Sequence, residues 1–204
     1  MYRPAAFVVD DVAALHEVIR ARVFATIALA HEGVQFAYAP VILDEDGKSG
    51  ALRFHLARGN PVCTNADGKK LSFSFVGTDA YVSPDWYESE GLVPTWNYIA
   101  VEASGVARKL NRDDLRKLLI DLSAQEEEKL PKAPWTIDKV SETRIEALLN
   151  GIEGFAVPLE TLKGKFKLSQ DKKPADIAGV IAALEARGDA ASVAVANAMR
   201  RSTI

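Results

Sequence analysis

The chain has 204 residues, 48% of them hydrophobic and 26% charged, with a formal net charge of −3. That supports one sizeable core, or a core plus a small appendage, and leaves no global basic footprint for nucleic acid. The single cysteine, Cys63, excludes an internal disulfide and any multi-cysteine metal site and fits a reducing compartment.

No apolar run reaches the length of a membrane span, and the opening MYRPAAFVVDD lacks the apolar centre of a signal peptide. The expectation is therefore a soluble, cytoplasmic protein with no membrane contact. No repeat or low-complexity tract is visible. After an extended Tyr2-Arg3-Pro4, Asp10 or Asp11 caps a helix whose Val12, Leu15 and Ile19 keep helical spacing. His16 borders that stripe and reads as a surface or boundary residue.

From residue 23 the pattern turns to strands. Residues 23–30 are β-branched and apolar, and His31-Glu32-Gly33 reads as a turn. Residues 34–43 alternate, with Val34, Phe36 and Tyr38 opposite Gln35, Ala37 and Ala39. Residues 44–50 (DEDGKSG) have the composition of a hairpin loop. In 51–57, Leu52, Phe54 and Leu56 face one way and Arg53 and His55 the other; 70–76 repeats the pattern with Leu71, Phe73 and Phe75 opposite Ser72 and Ser74. Residues 95–110 are long enough for a strand bent at Gly105. Strands at this spacing predict an antiparallel sheet curled into a barrel; a doubly wound fold would need helices between them.

Asn111 then caps a helix with Asp113 and Asp114 in its first turn and Leu115, Leu118, Leu119 and Leu122 as its buried stripe. Glu126 to Glu128 read as its solvated end, and Pro131 and Pro134 stop it, leaving Trp135 on a loop. A second helix over 141–149 closes at Asn150-Gly151. Residues 154–162 return to strand, with Pro158 implying an edge. Two further helices, 175–187 and 190–200, are split by Gly188-Asp189 and form an αα-hairpin.

Three stretches carry candidate chemistry. Residues 75–105 hold VSPDWY and VPTWNY, each with a proline ahead of a Trp-Tyr or Trp-Asn-Tyr group. Trp86, Trp96 and their neighbours read either as core or as a wall for a flat ligand. Ser83, Asp85, Thr95 and Asn97 among them favour the wall. HLARGNP (55–61) reads either as a plain hairpin turn or as an anion cradle, in which Arg58 offers a planar charged fork and His55 and Asn60 add hydrogen bonds. In KGKFKLSQDKK (163–173), Lys163, Lys165 and Lys167 alternate along a strand; three ammonium groups on one face attract phosphate, or form a solvated face. Ser169 and Gln170 add neutral donors beside them. No Gly-x-Ser-x-Gly elbow, P-loop or Rossmann fingerprint occurs, and three scattered histidines suggest no zinc set. Cys63 reads as a small buried residue more readily than as a nucleophile.

Taken together, MYRPAAF, FAT (24–26), HLARGNP, YVSPDWY, VPTWNY, GKFKLSQ (164–170) and LEARGD ahead of AVANAM resemble one family: the PaiB-type proteins, labelled FMN-binding negative transcriptional regulators. The match runs almost end to end. It implies a mainly β fold with flanking α, an antiparallel split β-barrel of the FMN-binding type with appended C-terminal helices. On that basis 1–170 form the split-barrel domain with inserted helices, and 171–204 a helical hairpin packed on it. The resemblance implies FMN as cofactor and a homodimer with flavin at the subunit interface. DNA enters as a partner by the family label alone. An FMN-dependent oxidoreductase and a haem-binding barrel with His55 as axial ligand are the alternatives. The cofactor residues this suggests are His55, Arg58, Asn60, Ser83, Trp86, Thr95, Trp96, Asn97, Lys165, Lys167 and Gln170. Two departures from the family pattern, Glu102 for histidine and Asp171 for asparagine, add negative charge.

Overall fold

The computed structural model describes residues 1–45 and 47–202. Its strands and α-helices are, in chain order, β1 (Val8–Val9), α1 (Val12–Arg22), β2 (Phe24–Ala30), β3 (Val34–Asp44), β4 (Ala51–Ala57), α2 (Pro61–Asn65) and β5 (Lys70–Val82). They continue as β6 (Thr95–Val106), β7 (Arg108–Lys109), α3 (Arg112–Glu127), α4 (Glu142–Leu149), β8 (Ile152–Pro158), β9 (Thr161–Lys167), α5 (Pro174–Arg187) and α6 (Ala190–Ser202). The strands hydrogen-bond in the order β1-β9-β6-β5-β2-β3-β4-β8-β7. The antiparallel sheet expected from the sequence is present. Asp46, within the predicted 44–50 loop, lies outside the described residues. Among the described residues no helix is long and apolar enough to cross a membrane.

Local signals set the boundaries. Asp11 caps α1, its Oδ1 accepting from the Ala14 amide at 2.8 Å, and Asn111 Oδ1 accepts from the Asp114 amide at the start of α3. Helix α2 was not expected. Asn60 Oδ1 accepts from the Val62 amide at 2.9 Å, and Pro61 occupies the first helical position. The strand expected over 154–162 divides into β8 and β9 beyond Pro158. Gly188, at φ 71°, ends α5 in the left-handed conformation. Asp189 then accepts from the Ser192 amide and hydroxyl, starting α6.

The chain divides into two compact units, with boundaries that fall inside α1, β5, β6 and β9. One comprises His16–Phe75 and Glu102–Leu162. Its core is Phe54, edge-on to Phe73 and stacked on Phe155, both at 5.6 Å between centroids, with Ile27, Leu29, Leu52 and Leu71 around them. A second cluster lies beneath α3 and α4, where Leu115 and Leu118 meet Ile42, Ile145 and Leu149. Arg53 is on that side of β4. Its guanidinium donates to Asp44 at 2.5 and 2.8 Å and to Asp121 of α3 at 3.0 Å. The alternation in β3 puts Ala37 and Ala39 inside, whereas Val34, Phe36 and Tyr38 are 63%, 58% and 63% exposed.

The other unit comprises Met1–Leu15, Val76–Val101 and the chain from Lys163 onward. Here α5 and α6 cover one side of the strands. Val180, Leu184, Val195 and Met199 pack on Ala80, Val82 and Leu168. Burial in β5 changes phase between Phe75 and Ala80, so Ala80 and Val82 point inward and Tyr81 outward. Gly179 lets α5 close on the Trp86 carbonyl, where a side chain would collide.

Gly105 is buried against the Pro158 carbonyl and Val157, with no room for a Cβ. Gly105→Ala should lower unfolding free energy by about 1–3 kcal/mol in urea titration. Gly59→Ala, built into open space, should leave it within about 0.5 kcal/mol.

Candidate flavin site

Strand β9 places its residues by period two. Phe166 and Leu168 pack toward the helical hairpin, so Lys163, Lys165 and Lys167 project from the opposite side. Lys163 is exposed, and Lys165 and Lys167 are half-buried. The Lys165 ammonium lies 5.3 Å from the Tyr98 ring centroid and 5.6 Å from that of Tyr2. The Lys167 ammonium donates to Thr95 Oγ1 at 2.8 Å and to the Trp96 carbonyl at 2.7 Å, and sits 5.9 Å from the Phe7 ring. Burial lowers the pKa of Lys167.

Neither Lys165 nor Lys167 meets a carboxylate in an ion pair among the described residues. The other half-buried lysines and arginines all do: Arg3 with Asp10, Arg53 with Asp44 and Asp121, Arg116 with Glu142, and Lys172 with Asp171. Partly desolvated ammonium groups over aromatic rings, with no carboxylate in ion-pair contact, are chemically suited to an anion.

Beside Lys167 is a cavity of about 190 Å³, walled by Phe7, Leu92 and Val93 and lined by Tyr87, Ser169 and Lys172. Tyr87 Oη is buried and lies beside the Ser169 hydroxyl, which favours its ionised form, although the two do not meet in normal hydrogen-bond geometry. Burial pushes its phenol pKa up. Ser169, at φ 64°, is one of two non-glycine residues with positive φ among those described. Its hydroxyl is held by Asn97, whose Nδ2 donates to it at 2.9 Å and to Met199 Sδ at 3.4 Å. Asp171 pairs with Lys172 at 2.6 Å, so its negative charge is offset locally.

Several of the residues named from sequence therefore come together in this unit. Thr95 and Lys167 are in contact, and Lys165 is on the same side of β9 as Lys167. Trp96 is 54% exposed, with Tyr81 edge-on to it at 6.1 Å and to Trp86 at 6.4 Å. Three others do local structural work. Ser83 caps the turn at Pro84–Trp86, and Asn97 is fully buried against Ser169. Gln170 folds back, accepting from the Leu168 amide and donating to the Phe166 carbonyl. Tyr87, which lines the same cavity as Thr95 and Lys167, was not among the residues named from sequence. The only signal for it was its place after Trp86 in the rigid VSPDWY phrase.

His55, Arg58 and Asn60 belong to the other unit. Asn60 caps α2. Arg58 Nε donates to the Asn150 carbonyl at 2.6 Å, and its Nη1 pairs with Glu153. Glu153, 8% exposed, also takes Lys109 at 2.6 Å. His55 pairs with Gly154 across β4 and β8, and Gly154 packs against Leu110 and against Leu115 of α3. Burial lowers the His55 pKa, and Nδ1 has no partner among the described residues. Among the described residues no group of three or more His, Cys, Asp or Glu could hold a metal ion.

The family model described as "Putative FMN-binding domain" matches residues 1–161. Protease synthase and sporulation protein PAI 2 of Bacillus subtilis is 31% identical over 188 residues, spanning 91% of this chain and 89% of that protein. The chain belongs to the PaiB-type FMN-binding family. FMN is accordingly its cofactor. The FAD and heme binding protein from Mycobacterium smegmatis aligns with a TM-score of 0.55 at 17% identity, covering 81% of this chain and 76% of that one. The flavocytochrome Anf3 from Azotobacter vinelandii gives 0.56 at 12%, covering 81% and 72%. These likenesses establish the fold, an antiparallel β fold of the split-barrel type with C-terminal helices. The residues around β9 could hold a flavin mononucleotide: two half-buried ammonium groups outside any ion pair among the described residues, with flat rings beside them.

The His55 pKa gives a test of its burial. Its folded value lies below the ordinary 6.5, so the unfolded chain binds the proton more readily. Stability is complete above pH 6.5 and is lost as pH falls below it. The urea midpoint should drop between pH 7.5 and 5.5, and His55→Asn should remove that slope.

Proposed function

We propose that this protein is a homodimer that binds FMN on the β9 face and acts as a negative regulator of gene expression through its flavin-bound state. The observation that carries this reading is the pair Lys165 and Lys167, the half-buried lysines without carboxylate partners among the described residues. They hold the phosphate; Trp96 and Tyr98 form the wall for the ring, and Thr95 orients the Lys167 ammonium. Bound FMN supplies a ring that takes up and releases electrons.

The second copy covers the exposed apolar face of β2 and β3. Phe24 stands opposite Pro40, Thr26 opposite Tyr38 and Ala28 opposite Phe36, and Phe24, Phe36 and Tyr38 are each more than half exposed. Contiguous apolar surface of this kind suits a partner of matching surface, and a stable dimer buries about 800 Å² per subunit. Trp96 is itself 54% exposed, which leaves room for a second subunit against a flavin bound there. The relative's name, a protease synthase and sporulation protein, supports a regulatory role.

The helical hairpin is not built to read DNA. Its few basic residues are Arg187, Arg200 and Arg201; Arg187 pairs with Asp189 and Arg200 with Glu185. Regulation is therefore indirect. A second reading, an FMN-dependent oxidoreductase, is favoured by the open Trp96 surface, on which a substrate could approach the ring. The buried, unbridged Cys63 fits a cytoplasmic location.

In titrations followed by quenching of flavin fluorescence, Lys165→Met and Lys167→Met should each weaken FMN binding about tenfold. Lys163→Met should change it less than twofold, and Arg58→Ala less than either. Equal losses for all four would remove the β9 face from the site. In sedimentation analysis, Tyr38→Glu should convert the dimer to monomer, and an unchanged dimer would place the interface elsewhere.

A further inference from the structure

We propose that residues 87–93 form a strap across the cavity beside Lys167, that the buried carboxylate of Asp176 is the latch holding it closed, and that release of this latch sets how fast a ligand enters and leaves. That the ligand is a flavin rests on the reading above; the latch itself does not.

The segment is fixed at both ends. Ahead of it, the Ser83 hydroxyl accepts from the Asp85 amide at 3.3 Å and starts the turn Pro84–Trp86. Gly179 of α5 lies so close to this turn that a Cβ there would stand 2.2 Å from the Trp86 carbonyl oxygen. Beyond it, Thr95 opens β6, with its hydroxyl accepting from Lys167. Between these anchors the chain is neither helix nor strand. Gly91, at φ 75°, turns it, with open space where a Cβ would be. Glu88, Glu90 and Gly91 are exposed, and Val93 is 70% exposed. Tyr87, Leu92 and Val93 nevertheless line the cavity, together with Lys167, Ser169 and Lys172. A lightly packed segment thus forms part of the wall.

Ser89 tethers it. The Ser89 amide donates to one oxygen of Asp176 at 2.8 Å and its hydroxyl to the other at 2.9 Å. The Glu88 amide also favours the ionised carboxylate. Asp176 is in the first turn of α5 and only 2% exposed. A carboxylate at a helix start ordinarily serves its own helix, as Asp189 does for α6 by accepting from the Ser192 amide and hydroxyl. Asp176 makes the same pair of contacts to a segment 87 residues away in the chain, and α5 begins without a side-chain cap. Hydrogen bonds to an ionised, buried acceptor are strong while made. When the strap lifts, water replaces both donors at the carboxylate, so the opening is reversible. A closed state that is favoured and reversible is what a gate requires, and local opening of this kind needs few packed contacts to break.

The test uses the full-length protein with Asp176→Asn, Ser89→Ala and, as a control, Asp189→Asn, which loses the matching contacts to Ser192 beyond the other end of α5. Amide hydrogen exchange reads opening of the strap, and stopped-flow quenching of flavin fluorescence reads association and dissociation of FMN. Asp176→Asn should speed exchange across 88–93 about tenfold. Ser89→Ala, which keeps the amide contact, should act in the same direction by about threefold, and covers the case in which Asp176→Asn does not fold. Association and dissociation of FMN should both quicken by similar factors, leaving the dissociation constant within about twofold. Asp189→Asn should lower Tm without changing strap exchange or either rate. Unchanged exchange in Asp176→Asn would overturn the latch. Faster dissociation with unchanged association would overturn the gate, because lost affinity alone does that, and the same rate changes in Asp189→Asn would overturn it as general loosening. Failure of the wild-type protein to bind FMN would overturn the flavin reading, and exchange in Asp176→Asn would still decide the latch.

Discussion

The constraint on which the site depends is the alternation of side chains along β9. One side must supply Phe166 and Leu168 to the cluster beneath α5 and α6. The other is then committed to Lys165 and Lys167, whatever their charge costs. Gly164 continues the inward row because Leu15 and the Val9 backbone occupy the space a side chain would need. The helical hairpin that buries one face of the strand therefore also fixes the direction of the ammonium groups. The rings of Tyr2, Phe7 and Tyr98 meet those ammonium groups where carboxylates would otherwise be expected. A cation over a ring keeps its charge available, since the ring offers a quadrupole and no neutralising proton acceptor.

How much of this the sequence disclosed follows from what a periodic pattern can say. The alternation in β9, the cap at Asn111 and the break at Gly188 are local, and each appears where the pattern puts it. Alternation also separates two faces of β3 and β4, but it does not say what covers each. On β3 the large side chains Val34, Phe36 and Tyr38 are outside, while Ala37 and Ala39 are inside. Phe54, Phe73 and Phe155 enter the core of that unit from other strands. On β4 the polar face expected to meet a ligand lies on the side of α3, and Arg53 is satisfied by Asp121, far away in sequence. The pairing that decides this is long-range, and no window of the sequence contains it.

Arg58 and Tyr87 show the same limit from opposite directions. A guanidinium in a glycine turn is what a phosphate site uses, yet here its donors meet Glu153 and the Asn150 carbonyl. Glu153 is nearly buried, and two cations, Arg58 and Lys109, keep its charge tolerable. Tyr87 looks like one more aromatic residue. What sets it apart comes only from its surroundings: its buried hydroxyl lies beside that of Ser169 in a cavity lining, a long-range placement that no window of the sequence contains.

Net charge misleads in the same way. A total of −3 argues against a polyanionic partner spread over the surface, but a mononucleotide meets only a few groups. Charges beyond about 8 Å are largely screened at physiological salt, so pairing in three dimensions decides the local field. In the unit that carries β9, acidic groups such as Asp10 and Asp171 are matched to a nearby base, Arg3 and Lys172. The Asp171 departure from the family pattern acts on Lys167 electrostatically, but Asp171 forms its ion pair with Lys172, and Lys172 and Lys165 oppose it at Lys167. What remains outside ion pairs on the β9 face is positive, half-buried and next to aromatic rings, so local pairing rather than net charge sets the field that an anion would meet there.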